Sequence, residues 1–367
     1  MTWGRRALVA AVLLAVGLMA AFQGNGFPAS ETDLVSSDSL FDWVTTRAAW
    51  DGRSPYAPIG HLLTRYTAFA EHPAAWVVHP RGPGALLIQT PLLLVGPDRV
   101  LALQTVLIVL SVAGFILIAC SIARLPWWSP IPLAVVFFTE PIAHAFTTGS
   151  QAPIIAFLLA ATWKTLQRGD SAWSGLPAGV AASLKLFPLV LIPLLWARGY
   201  RRCALGMGAT VAGFTLAGSL LPGVTLADGL KVVSDAGDVF RPHIRNLSVV
   251  ALLPDWIPAL IVPIVGATLL AWWTYQTKPG LNRLLMVGSS AMIVLSPIVW
   301  GHYLVVLLPG AIVLLPAGSL IIGALLVVGP DDPIAYLVAV ITLAVLVRPV
   351  RISGEGAEMP KSNEPIG

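Results

Sequence analysis

Charge is what this sequence has least of. Of its 367 residues 11% are charged and 56% are hydrophobic, against roughly 25% and 45–50% in soluble globular domains, so too little polar surface exists to coat a water-exposed fold of this size. Cysteine is almost absent: Cys120 and Cys203 fit no metal or redox spacing, and neither a disulfide nor a catalytic thiol is expected. There is no GxxxxGK[ST] loop, which argues against an ATP-driven pump, and no HExxH, so zinc-assisted hydrolysis has no support. Basic runs interleaved with aromatics are missing, so the net charge of +4 does not mark a nucleic-acid surface. The apolar runs do not alternate with polar residues, which excludes a transmembrane β-barrel. Nothing calls for a metal or other cofactor.

What is present is a succession of continuous apolar runs at roughly the twenty-residue spacing that a bilayer core demands of a helix. Expected spans lie near residues 7–23, 84–97, 100–122, 129–146, 150–167, 174–197, 203–222, 256–276, 284–300, 303–316, 318–329 and 334–348. Several are short, so the expectation is an all-α, polytopic integral membrane protein with about 9–12 transmembrane helices. Residues 1–353 read as one membrane domain, with polar loops at 24–83 and 226–255 and a polar tail at 354–367. Arg5 and Arg6 before the first run suit an uncleaved signal anchor. Arg198, Arg201 and Arg202, then Lys278 and Arg283, then Arg348 and Arg351, belong on the cytoplasmic side by the positive-inside rule, which puts both polar loops outside. Lys164 and Arg168 join that side only if 128–146 or 176–196 enters the membrane and turns back, and prolines interrupt both stretches.

The first polar loop holds six of the eighteen acidic residues, Glu31, Asp33, Asp38, Asp42, Asp51 and Glu71. Within it, Leu40 to Trp50 has helical apolar spacing, with Asp38 or Ser39 as the expected N-cap and Gly52, Pro55 and Pro58 as terminators. Asp38 is thus either a cap or a general base. Lys185, in the middle of an apolar run, either snorkels beside the break at Pro188 or faces a phosphate. Glu140 and His144, four apart, share a helix face and can satisfy each other. His79 and Arg81, then Arg241, His243, Arg245 and Asn246, then Trp300 and His302, all fall at span ends. Carboxylate and cations on one membrane face suit sugar transfer from a lipid phosphate: a base for the acceptor hydroxyl, cations for the departing phosphate.

Four stretches resemble the polyprenyl-phosphate-sugar-dependent glycosyltransferases of family 87, which have the type C membrane fold. They are residues 37–56, from Ser37-Asp38 to Gly52-x-x-Pro55-Tyr56; His79-Pro80-Arg81-Gly82-Pro83-Gly84; Gly149-Ser150-Gln151 with Gly175 and Lys185-Leu186-Phe187-Pro188; and Arg245-Asn246-Leu247-Ser248 with Ser296-Pro297-Ile298-Val299-Trp300-Gly301-His302. The resemblance implies juxtamembrane helices in the extracytoplasmic loop after the first span. It also implies inverting transfer of a sugar, mannose first and arabinofuranose as the alternative, from a polyprenyl-phosphate donor to a glycolipid or glycan acceptor at the outer face of the cell membrane. Asp38 would be the general base, with Asp42, which stands where the family often has tyrosine, as second candidate and His302 beside them. Arg81, Lys185, Arg245, His79 and Gln151 would bind the donor phosphate, and Tyr56, Asn246 and Trp300 would meet the acceptor or shape the loops. The competing readings are a transporter or flippase for a lipid-linked sugar and a non-enzymatic subunit of envelope synthesis.

Overall fold

The computed structural model describes residues 37–67, 78–126, 140–241, 246, 248–314 and 333–347. The expected spans at 7–23 and 318–329, most of 129–146, the tail, His243 and Arg245 lie outside the described residues. Among those residues all regular structure is helical, with one antiparallel bridge joining Pro58 and Val78.

Helix α1, Asp38–Trp50, starts two residues before the apolar periodicity does. Its cap is Ser37, not Asp38 or Ser39: Ser37 has the extended backbone a cap requires, φ −80° and ψ 139°, and its hydroxyl accepts the Leu40 N–H at 3.2 Å. Gly52, at φ +72°, turns the chain away after the helix. Leu40, Trp43, Val44 and Ala48 of α1 pack on Ile59, Leu62 and Leu63 of α2, Ile59–Tyr66, and on Leu92 and Val100.

The expected span at 84–97 is instead a six-residue helix α3, Pro83–Ile88, followed by a 3-10 turn, Thr90–Leu94, because Pro91 has no N–H to continue the ladder. Helix α4, Val100–Ala123, is the one helix among the described residues long and apolar enough to cross a membrane alone. Then come α5, Glu140–Thr148, α6, Ala152–Leu166, and α7, Ala172–Leu184. The expected span at 174–197 is broken after α7: the Pro188 ring would collide with the Leu184 carbonyl in a continuing helix, so Lys185 is extended, and a 3-10 turn, Phe187–Val190, leads into α8, Leu191–Arg198. Helix α9, Arg201–Gly218, follows. The second polar loop contains a helix not expected there, α10, Leu226–Val239, capped by Thr225. Helices α11, Ile261–Thr277, and α12, Leu281–Val294, precede a 3-10 segment, Gly301–Leu307, that runs into α13, Leu308–Val313; α14 is Pro333–Val347.

The contacts sort these elements between two ends. Val100 of α4 and Gln151 before α6 lie with α1, while Lys164 of α6 donates to Ser121 of α4 at the far end. Lys185, following α7, is back beside Asp38, and Arg198 of α8 has returned to the far end, where it donates to the Pro279 carbonyl at 2.6 Å. The stretch 176–196 therefore reverses direction at Lys185, while 127–139 lies outside the described residues. Glycines make its outer wall thin: a Cβ on Gly175 of α7 would lie 2.0 Å from the Cys203 carbonyl of α9, and one on Gly206 the same distance from the Ala172 carbonyl. Small residues at such a crossing let backbones approach closely.

Gly175→Ala must push α7 from α9. We expect it to destabilise the protein by roughly 1–3 kcal/mol, seen as a lower thermal unfolding midpoint in detergent. Gly208→Ala, inside α9 and with its Cβ in open space, should not lower the midpoint and should raise it slightly, because alanine favours a helix over glycine.

Candidate functional site

The centre of the site is Asp42, whose side chain is wholly buried. One oxygen, Oδ1, accepts from His79 Nε2 and from Arg81 Nε, both at 2.7 Å, and Oδ2 accepts from Gln151 Nε2 at 2.7 Å. One carboxylate therefore ties α1 to the 78–82 segment and to the turn before α6. Gly149 makes that turn with φ +64°, and a Cβ there would meet Ser39 Oγ at 2.5 Å, so a side chain would be both strained and in collision. Burial alone would raise the Asp42 pKa, yet the Arg81 charge and the His79 hydrogen bond outweigh it and hold the carboxyl well below the usual carboxylate range. Burial and the Arg81 charge lower the His79 pKa against the pull of Asp42, which leaves the imidazole neutral and donating through Nε2.

Asp38, one turn before Asp42, is different. Its side chain is 27% exposed, and the ionic partner the structure gives it is Lys185 Nζ at 3.9 Å. Ser37 has taken the capping role, so the Asp38 carboxylate is available to that lysine. Lys185 itself is buried, donates to the Tyr303 hydroxyl at 3.1 Å and sits 4.2 Å from the Tyr303 ring centroid. Beside Tyr303, His302 is buried with neither ring nitrogen hydrogen-bonded among the described residues. It stacks on His144 with centroids 5.4 Å apart and meets the Tyr303 ring edge-on at 4.8 Å. Arg81 and Lys185 are close enough for their charges to act on each other and on the His302 ring. Arg81 Nη2 and Gln151 Oε1 are also buried and have no hydrogen-bond partner among the described residues. Buried polar atoms without partners are uncommon in folded proteins and call for an explanation.

Of the residues read from the sequence, Asp38, Asp42, His79, Arg81, Gln151, Lys185 and His302 are thus brought together. Asn246 is occupied elsewhere: its amide nitrogen donates to the Phe240 and Pro297 carbonyls, and its oxygen accepts from Ser248 N and Val299 N. It pins the 296–299 bend that presents Trp300 and His302. Arg241 closes its own loop on the Leu253, Pro254 and Ile257 carbonyls and on Asp238. Tyr56 lines a cleft of about 350 Å³ with Pro80, Asp228, Lys231, Asp235 and Phe240, and Phe240 meets Trp300 edge-on at 6.3 Å. Sequence reasoning missed Tyr303 and the pairing of His144 with His302. Tyr303 follows His302 directly, but nothing in its apolar surroundings marks it as a lysine's partner.

The arrangement is a sunken polar centre, with cationic groups and a part-exposed carboxylate, set at one end of an apolar helical bundle. A family model, Glycosyltransferase family 87, matches residues 81–297, more than half of the chain. The protein belongs to glycosyltransferase family 87. The match includes Arg81, Gln151 and Lys185, whereas Asp38, Asp42, His79 and His302 lie outside it. No curated protein and no solved structure matches the chain.

Acid should loosen this centre in two stages. His79 has a depressed pKa in the folded protein and about 6.5 unfolded, so its contribution is complete above pH ~6.5 and is lost as the pH falls below it. Asp42, near 3.9 unfolded and lower folded, loses its contribution only below pH ~4. Thermal unfolding in detergent between pH 7 and 5 should show a falling midpoint for the wild type and a flatter profile for His79→Gln, which keeps a donor but cannot titrate. Equal slopes would remove His79 from this role.

Proposed function

We propose that the protein is a multi-pass membrane enzyme that moves a sugar from a polyprenyl-phosphate donor to a hydroxyl of a glycolipid or glycan acceptor at the extracytoplasmic face. The observation that carries this reading is the pairing of the part-exposed Asp38 with Lys185, the same lysine that bonds Tyr303 beside His302, in a chain of this family. Supporting the orientation, the end away from Asp38 gathers Lys164, Arg198, Lys278 and Arg283, the sign expected of a cytoplasmic face. Several described helices are shorter than a straight crossing, and one break, at Lys185, is where the chain turns back; irregular backbone is tolerated at membrane depth where protein buries it.

In this mechanism the Asp38 carboxylate takes the proton of the acceptor hydroxyl as its oxygen attacks the anomeric carbon. The bond from that carbon to the phosphate oxygen breaks, and the electron pair leaves with polyprenyl phosphate. Attack from the side opposite the phosphate inverts the anomeric configuration. Lys185, Arg81 Nη2 and a His302 N–H stabilise the charge that builds on the phosphate; such groups act strongly because they are fixed and shielded from water. Asp42 is spoken for by three donors and serves as the anchor of Arg81 rather than as the base. The Tyr56 cleft, with two carboxylates and an aromatic wall, suits the hydroxyls and faces of acceptor sugar rings. Mannose is the proposed sugar, with arabinofuranose tested beside it.

Membranes carrying the wild type should transfer label from polyprenyl-phosphate mannose or polyprenyl-phosphate arabinofuranose to a lipid product. Asp38→Asn should lower the rate by about 10²–10⁴-fold at unchanged expression. Lys185→Gln should lower it by roughly 10²-fold. Retention of the wild-type rate in Asp38→Asn would rule out Asp38 as the base, and failure of both donors with the wild type would rule out the donor class.

A further inference from the structure

A second polar concavity, of about 590 Å³, lies at the opposite end of the bundle, lined by Ser121, Ile122, Arg124, Lys164, Gln167, Gly280, Leu281 and Asn282. At roughly 1.5 Å per residue along α6, Lys164 is about 20 Å from Gln151, so this pocket is separate from the Asp42 centre. It occupies the end of α4, the longest apolar helix described, which is where lipid headgroups meet a membrane protein.

Its lining carries two cations and no carboxylate. Neither Arg124 nor Lys164 forms an ion pair among the described residues. The nearest carboxylate in sequence, Asp170, is engaged with the N–H groups of Arg202 and Cys203 at the start of α9. Lys164 Nζ is held by Ser121 Oγ at 2.9 Å, which leaves two ammonium hydrogens for the pocket. The Asn282 oxygen accepts from Trp163 Nε1 at 3.0 Å, so the amide nitrogen is what Asn282 offers. Gln167 adds another amide. Arg124 is fixed at the helix end in the left-handed conformation, φ +55°, a strained setting for a non-glycine residue. Donors from three helices thus converge on one concave site of positive charge, with no carboxylate in its lining among the described residues.

We propose that this pocket binds a phosphate group, held by Arg124, Lys164 and the Asn282 amide, supplied either by the headgroup of an anionic phospholipid or by free phosphate. Two cations and a set of neutral N–H donors match the charge and the oxygens of a phosphate. The proposal does not depend on which sugar is transferred, or on transfer itself.

The test uses the full-length protein in nanodiscs of phosphatidylcholine containing 10% phosphatidylglycerol, with retained lipids counted by native mass spectrometry after extraction. The wild type should keep phosphatidylglycerol in preference to phosphatidylcholine. Arg124→Gln with Lys164→Gln should bind it at least tenfold more weakly, and Arg202→Gln, a cation at the same end that does not line the pocket, should bind like the wild type. Inorganic phosphate in the millimolar range identifies the source: if it raises the unfolding midpoint of the wild type and not of the double variant, the site takes free phosphate. If only phosphatidylglycerol responds, it takes the headgroup. Should the double variant not fold, Lys164→Gln alone carries the comparison. The proposal falls if the wild type shows neither preference, or if the pocket variants retain lipid and phosphate as well as Arg202→Gln does.

Discussion

The architecture of the polar centre depends on one buried carboxylate. A charge in the interior is tolerated only when it is paired and its lone pairs are met, and Asp42 meets that condition with two donors on one oxygen and one on the other. The donors come from two distant parts of the chain, so satisfying Asp42 also fixes the loop before α3 and the turn before α6. Removing the carboxylate alone would strand the Arg81 charge in the interior, where breaking a buried pair costs about 3–5 kcal/mol. The same pairing fixes Arg81: with Nε held by Asp42, the nitrogen Nη2 is buried and has no hydrogen-bond partner among the described residues.

Two aspartates one helical turn apart consequently differ in kind. Asp42 lies on the inner face of α1, where each oxygen is occupied. Asp38, in the first turn, is part exposed and faces a lysine at 3.9 Å. What separates them is the cap: because Ser37 satisfies the Leu40 N–H, Asp38 does not have to. One hydroxyl at the helix start thereby converts a residue that could have been structural into one that can do chemistry.

The continuous apolar runs made the all-helical class legible, and the aspartates, His79, Arg81, Gln151, Lys185 and His302 could be picked out because polar residues in apolar surroundings are costly enough to stand out. Their division of labour could not be read. Whether Asp38 or Asp42 is enclosed depends on the 109-residue separation between Asp42 and Gln151, and no local pattern reports a contact at that range. The lengths of the apolar runs at 84–97 and 174–197 overstated the helices: hydropathy averages across Pro91 and Pro188, but the α-helix stops short of each. Asn246 stood out in the sequence for the same reason as the site residues, yet its four hydrogen bonds all go to backbone; a polar group that shapes a bend cannot be distinguished by type from one that meets a ligand.

The family match and the polar centre are offset along the chain, and the fold accounts for the offset. The matched residues, 81–297, contribute Arg81, Gln151 and Lys185, a set that can bind an anion but contains no acid of its own at the site. The carboxylates come from α1, before the match, and His302 and Tyr303 come after it. Each outside piece is fastened to the matched core by a bond of opposite or complementary character: Asp42 to Arg81 and Gln151, and the Tyr303 hydroxyl to Lys185. Lys185 reaches both because Pro188 breaks its helix and leaves it extended at the turning point. A helical backbone at residue 185 would turn the lysine side chain away from the direction in which its extended backbone now presents it to Asp38 and Tyr303. The proline that spoils the span is thus what places the proposed base and the proposed phosphate cation side by side.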